Sequence, residues 1–177
     1  MNENLYGIMA EFGTPEQLLA VARAAYSAGY RRMDAYSPFA VEGLAEAIGF
    51  HKTRVPLVTL IGGILGGLTA YGMQWYSAVV DYPVNVGGRP LHSWPAFVPI
   101  TFELTVLFAA FAAVLGMLAM NRLPKPYHPV FNVPEFKLAS QTRFFLCIQS
   151  DDHVFNAKEV REFFLSLAPI SILEVEN

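Results

Sequence analysis

The chain has 177 residues, 12 of them Lys or Arg and 15 Asp or Glu, so 15% is charged while 54% is hydrophobic and the mean hydropathy is +0.36. An ordinary soluble domain is roughly 25% charged; this balance excludes intrinsic disorder and argues against a purely soluble protein. A formal charge of -3 supplies no basic face for phosphates, which excludes nucleic acid as a partner, and a single cysteine, Cys147, excludes an intramolecular disulfide framework, a Cys-x-x-Cys redox pair, c-type haem attachment and a self-contained iron–sulfur site.

Met1–Phe12 carries two Glu residues and no basic n-region, so no secretory signal is read there. Leu5–Phe12 reads as a short strand. Thr14-Pro15-Glu16-Gln17 supplies an N-cap, a proline at the first helical position and a capping-box Gln. Leu18, Ala22, Ala25 and Tyr26 share one helical face, and Gly29 closes the helix. Tyr30–Tyr36 is predicted as a second strand and Val41–Ile48 as a short helix.

Residues 1–54 hold 11 charges and residues 122–177 hold 13, but residues 55–121 hold three: Asp81, Arg89 and Glu103. The 26 uncharged residues from Val55 to Val80 give about 39 Å of helix, enough to cross a hydrocarbon core of ~30 Å. A second span is predicted over Pro95–Asn121, with Pro95 and Pro99 in its first turns, where a missing N–H costs least. Trp75, Tyr76, Tyr82 and Trp94 gather at the loop side, as an aromatic belt would. The two spans and the loop 81–94 form a hairpin. Lys52, Arg54, Arg122 and Lys125 flank its open end and Arg89 alone lies in the loop, which by the positive-inside rule puts both termini on the cytoplasmic side and the loop outside.

The first span carries two interleaved small-residue ladders, Gly62-x-x-x-Gly66-x-x-x-Ala70 and Thr59-x-x-x-Gly63-x-x-x-Gly67. Such spacing admits a close helix backbone. One reading is local packing against the second span; four glycines form a broad smooth face, wider than one partner helix needs, which points to packing in a larger multi-helix assembly. Glu103 lies about eight residues, or ~12 Å, inside the outer end of the second span, at the depth of Tyr71–Gln74. An intramembrane acid is costly and usually buried in protein. It is read either as a polar contact with Gln74 or a Tyr hydroxyl such as that of Tyr71, or as part of a proton pathway or an inter-subunit contact.

Beyond the spans, Leu123–Pro134 contains Pro124, Pro126, Pro129 and Pro134 and reads as a stiff, extended linker along the membrane surface, within a linker region 122–139. Thr142–Gln149 is a buried strand, and Asn156-Ala157-Lys158-Glu159 another helix start. Val160, Phe163, Phe164 and Leu167 line an amphipathic helix ended by Pro169, and Ile170–Val175 is the last strand. Two βαβ units, one per flank, predict an α+β fold: a split βαβ, ferredoxin-like cytoplasmic domain built from residues 1–54 and 140–177, with the transmembrane hairpin inserted between its halves.

No catalytic constellation is visible. His51, His92, His128 and His153 lack metal-type spacing, and neither span contains a histidine, so this chain alone cannot hold a b-type haem through two histidines. Asp151-Asp152-His153 reads as a polar strand-to-helix connection, because no further ligand is near. Gly62-Gly63 and Gly66-Gly67 are followed by no Lys-Ser/Thr and make no phosphate loop. Ser37 has no identifiable base.

Leu5-Tyr6-Gly7-Ile8-Met9-Ala10-Glu11-Phe12 and Gly29-Tyr30-Arg31-Arg32-Met33-Asp34-Ala35-Tyr36-Ser37-Pro38-Phe39 resemble the opening of the ActD family, the small two-span subunits of bacterial alternative complex III. The likeness continues through Val41-Glu42-Gly43-Leu44, the glycine-rich first span and the proline-rich segment ending near Pro134-Glu135-Phe136, and so covers nearly the whole chain. The resemblance implies a complex that oxidises membrane quinol and passes electrons to a periplasmic cytochrome c or high-potential iron–sulfur protein. It implies c-type haems in multihaem and monohaem cytochrome subunits, iron–sulfur clusters in a molybdopterin-enzyme-like subunit, and quinol handling by polytopic subunits of the NrfD/PsrC type. The D subunit would carry no cofactor and no catalytic residue, and would act as a structural subunit in the lipid bilayer. The competing expectation is a free-standing sensor, with a ligand-binding ferredoxin-like module anchored by the hairpin.

Overall fold

The computed structural model describes residues 4–177. Its contacts divide the chain into two units, Met1–Lys52 with Pro126–Asn177, and Thr53–Lys125.

The first unit is a mixed α/β structure on one four-stranded antiparallel sheet: β1 (Leu5–Phe12), β2 (Met33–Tyr36), β3 (Phe144–Gln149) and β4 (Ser171–Glu176), in the order β2-β3-β1-β4. β1 pairs with β3 and with β4, and β2 pairs with β3; the central register sets Met9 opposite Cys147 and Leu173. Helix α1 (Pro15–Ser27) begins where the Thr14 hydroxyl accepts from the Gln17 N–H at 3.3 Å, while the Gln17 side chain accepts from the Gly13 N–H at 3.2 Å. One first-turn donor and the N–H just ahead of the cap are thereby satisfied, a variant of the capping box. Gly29, at φ 103, makes the left-handed exit that a side chain would oppose. A single turn, α2, spans Leu44–Ala47. Helix α5 (Ala157–Ser166) starts at Asn156, whose side chain accepts from the Lys158 N–H at 3.1 Å.

Because strand side chains alternate, the sheet has two apolar faces. Ile8, Ala10, Phe12, Leu146 and Ile148 pack with Leu18, Ala22 and Ala25 of α1 and with Val160 and Phe164 of α5. Met9, Phe145, Cys147 and Val175 point the other way, onto Val130, Val133, Phe136 and Ala139. Val130 belongs to one 3₁₀ turn, Pro129–Asn132, Phe136 and Ala139 to a second, Pro134–Ser140, and Val133 joins the two. The proline-rich segment therefore differs from the extended surface linker expected for it. Each turn starts on a proline, whose fixed φ suits the first position, and the apolar residues behind it bury against the sheet.

The second unit is a helical hairpin. Helix α3 (Val55–Trp75) continues as a π-helical stretch, Tyr76–Asp81, and helix α4 spans Trp94–Met120. Both are long and apolar enough to cross a membrane. They run antiparallel, with Val58 beside Gly116 at one end and Gln74 beside Phe97 at the other.

Candidate interaction surface of the helical hairpin

The two ladders on α3 have different fates. Gly62, Gly66 and Ala70 form the buried seam against α4. A Cβ on Gly66 would lie 2.5 Å from the Leu104 carbonyl oxygen and 2.6 Å from Phe108 Cβ; one on Gly62 would meet Ala112 Cβ and lie 2.9 Å from the Phe108 carbonyl oxygen. No side chain larger than hydrogen fits there unless the helices separate. This ladder is consumed inside the hairpin.

Thr59, Gly63 and Gly67 lie at the edge of that seam: Gly63 is itself buried, and a Cβ on Gly67 would lie 2.9 Å from Thr105 Oγ1. All three line an apolar groove of about 540 Å³ with Leu60, Thr105 and Ala109. A Cβ on Gly63 would lie 3.6 Å from Ala109 Cβ, an ordinary contact that the hairpin does not forbid. The Thr59 hydroxyl donates to the Val55 carbonyl at 3.0 Å and the Thr105 hydroxyl to the Thr101 carbonyl at 2.7 Å, so both threonines are satisfied within their own helices. Thr105 also lines a second cavity of about 340 Å³, with Tyr71, Trp94, Thr101 and Phe102.

Glu103, Gln74 and Tyr71 are not brought together. The Gln74 amide donates to the Ala70 carbonyl at 3.1 Å, the Phe97 carbonyl at 3.2 Å and the Thr101 hydroxyl at 3.2 Å. The Tyr71 hydroxyl and His92 Nε2 lie 2.7 Å apart; the Tyr71 ring meets Phe97 edge-on and the His92 ring lies tilted against it, closing the loop end of the hairpin. Glu103 is exposed. The α3-facing stripe of α4 contains Phe97, Thr101, Leu104, Thr105, Phe108 and Ala112. Position 103 is two residues from both 101 and 105, roughly 200° around a 3.6-residue helix. The internal polar contact expected for Glu103 is therefore not made.

The polar groups of the sheet unit act within the fold. Asp152, 5% exposed, accepts from the backbone N–H groups of Arg31 and Arg32, both at 2.6 Å, and of Val154 at 3.0 Å. Burial pushes its pKa up, but the hydrogen bonds from Arg32, Arg31 and Val154 outweigh this and hold it below the ordinary value of 3.8. Asp151 pairs with the Arg32 guanidinium at 3.5 Å on the surface. The Ser37 hydroxyl donates to the Phe39 carbonyl at 2.6 Å. Burial, with Asp34 nearby, pushes the Cys147 thiol up to about 12, which leaves it an inert core group. Among the described residues no group of three His, Cys, Asp or Glu side chains could hold a metal ion.

Residues 6–174 match the protein family described as alternative complex III, ActD subunit. No individually curated protein matches the chain. The family match covers nearly the whole sequence, through both flanks and both apolar helices.

The chain belongs to the ActD family.

An ActD-family chain is a subunit of alternative complex III, so its function is exercised among other subunits. In this ActD chain the hairpin contains two features not singled out from the sequence. Gly116 lets α4 close onto Val58, where a Cβ would lie 2.8 Å from Val58 Cγ1; with Ala112 it forms a small-x-x-x-small pair facing the first ladder, a signal that was present in the sequence. The Tyr71–His92 bond depends on how the loop folds back, and no spacing announces it.

Proposed function

We propose that this ActD chain is a non-catalytic structural subunit that packs its transmembrane hairpin against the polytopic quinol-handling subunits and covers their cytoplasmic face with its sheet domain. The observation that carries this reading is the open groove along the second ladder. Gly62, Gly66 and Ala70 serve the hairpin, while Thr59, Gly63 and Gly67 line an open apolar groove on the same helix. Close backbone approach is what small residues supply between helices in lipid, and a second helix is the occupant a second ladder suits.

Several finer points belong to the same reading. The strand order β2-β3-β1-β4, with α1 and α5 packed on one face, supports a split βαβ, ferredoxin-like domain with a hairpin inserted between its halves. Both flanks contribute strands to one sheet, so they lie on one side of any bilayer that the hairpin crosses. Lys52, Arg54, Arg122 and Lys125 at the open end favour the cytoplasmic side of the inner membrane. Quinol oxidation, c-type haems and iron–sulfur clusters then reside on other subunits, and this chain supplies no step of the electron transfer.

Co-purification tests the reading. An affinity tag on this chain should bring down haem-containing subunits from membranes solubilised in mild detergent. A Gly63→Leu variant, whose side chain fills the groove, should be inserted normally yet lose those subunits by about tenfold or more. A wild-type chain that purifies alone would reject the reading and favour the free-standing sensor.

A further inference from the structure

Glu103 is the one charged residue of α4, and it faces away from α3. Its neighbours on that outer stripe, Ile100, Val106 and Leu107, are exposed and apolar. Among the described residues no donor reaches the Glu103 carboxylate: Gln74, the nearest amide in the spans, is spent on Ala70, Phe97 and Thr101, and the ion pairs of the chain all lie in the sheet unit. The cations of the hairpin unit are Arg54, Arg89, Arg122 and Lys125. Arg54 caps the start of α3, Arg122 and Lys125 follow the end of α4, and Arg89 lies in the loop beside Ala78, Tyr82 and Pro90. None is within the helical part of either span.

An acid at this depth facing lipid is among the costliest placements for a side chain, and intramembrane acids accordingly pair with donors inside a bundle. We propose that the Glu103 stripe of α4 is a second docking face of the hairpin, separate from the Gly63 groove, and that its occupant is a membrane helix of another subunit bearing Arg, Lys or His at the depth of Glu103. Charge complementarity selects this occupant. A second copy of this chain offers no Arg or Lys within its spans, and a helix without a donor would bury the acid unpaired. The inference rests on the hairpin being a membrane-spanning part of the complex.

The test uses the intact complex, tagged on a haem-bearing subunit. A photo-crosslinking side chain at Ile100, and separately at Leu107, should capture a membrane span of another subunit, and sequencing of the crosslinked peptide should find Arg, Lys or His in that span. Glu103→Arg should reduce this chain's stoichiometry in the complex by on the order of tenfold, and Glu103→Leu by less, because a lost attraction costs less than a repulsion. Immunoblots of the membranes separate failed insertion from failed docking; if Glu103→Arg is not inserted, the crosslinks on the wild-type glutamate decide. Capture of lipid alone, of a second copy of this chain, or of a span without a basic residue overturns the proposal. So does normal stoichiometry of an inserted Glu103→Arg chain. In each of those cases the wild-type chain still purifies with haem, whereas failure of the broader reading removes haem from the wild type as well.

Discussion

The Oδ2 atom of Asp152 lies 2.6 Å from the backbone nitrogen of Arg32, 120 residues earlier in the chain. One buried carboxylate thus ties the start of β2, in the first flank, to the connection between β3 and α5, in the second. The side chain of Arg32 is not what Asp152 binds; it meets Asp151 in solvent, where an ion pair contributes little. The backbone is what the two flanks share.

Removing this tie should weaken the sheet unit. Asp152→Ala leaves three backbone donors without their acceptor and should cost about 2–3 kcal/mol. The acid dependence follows from the lowered pKa. A carboxyl that ionises more readily in the folded state contributes stability that is fully present above 3.8, its ordinary value, and is lost as pH falls through the folded value. Thermal melts of the detergent-solubilised chain, taken from neutral pH to about pH 3, should therefore show a steeper acid loss for wild type than for Asp152→Asn. Parallel curves would remove Asp152 from the acid response.

The glycines of α3 should separate by position. Gly66→Ala drives a methyl group into the Leu104 carbonyl and Phe108, so it should destabilise the isolated hairpin by about 1–3 kcal/mol. Gly63→Ala makes only an ordinary contact with Ala109 and should leave the hairpin's melting unchanged. Equal effects at the two positions would mean that the seam and the groove are not distinct.

Cys147 should resist alkylation in the folded chain. A fully buried thiol pushed up to about 12 holds almost no thiolate at neutral pH. Maleimide should label it only after denaturant is added, and rapid labelling of the native chain would show that the face formed by the 3₁₀ turns opens.

Protease added to right-side-out vesicles should cut only near Asp81–Trp94, where Tyr82–Pro90 is exposed, and a tag at either terminus should stay protected. Cleavage of a terminal tag from outside would reverse the orientation read from Lys52, Arg54, Arg122 and Lys125.

Much of this architecture is local enough to read from sequence. The capping residues of α1 and α5 act within a few positions, and the amphipathic spacing of Val160, Phe163, Phe164 and Leu167 already identifies the face of α5 that packs. Two things were not read. Val130, Val133, Phe136 and Ala139 recur every third residue, the period of a 3₁₀ helix, but the four prolines of Leu123–Pro134 point to an extended chain instead. The second is the direction of Glu103. Depth along a helix follows from counting, whereas the face depends on how α3 and α4 interlock, and that is set by Gly62, Gly66 and Gly116 acting together across the seam.

The pairing of the sheet also dictates an order of events during synthesis. β1 bonds only to β3 and β4, and β2 only to β3, so neither strand of the first flank has a partner until residue 144 onward has left the ribosome. The first flank must wait, with its strands unpaired and Met9 without its cover of Val130, Val133 and Phe136, while both apolar helices are made. Sheet closure therefore follows synthesis of the hairpin, and on the proposed topology it succeeds only if the hairpin has returned the nascent chain to the compartment it started from. A misinserted hairpin would strand the two half-sheets apart and leave bare strand edges of the kind that chaperones and proteases engage. On the proposed topology, then, the divided sheet can close only around a correctly inserted hairpin.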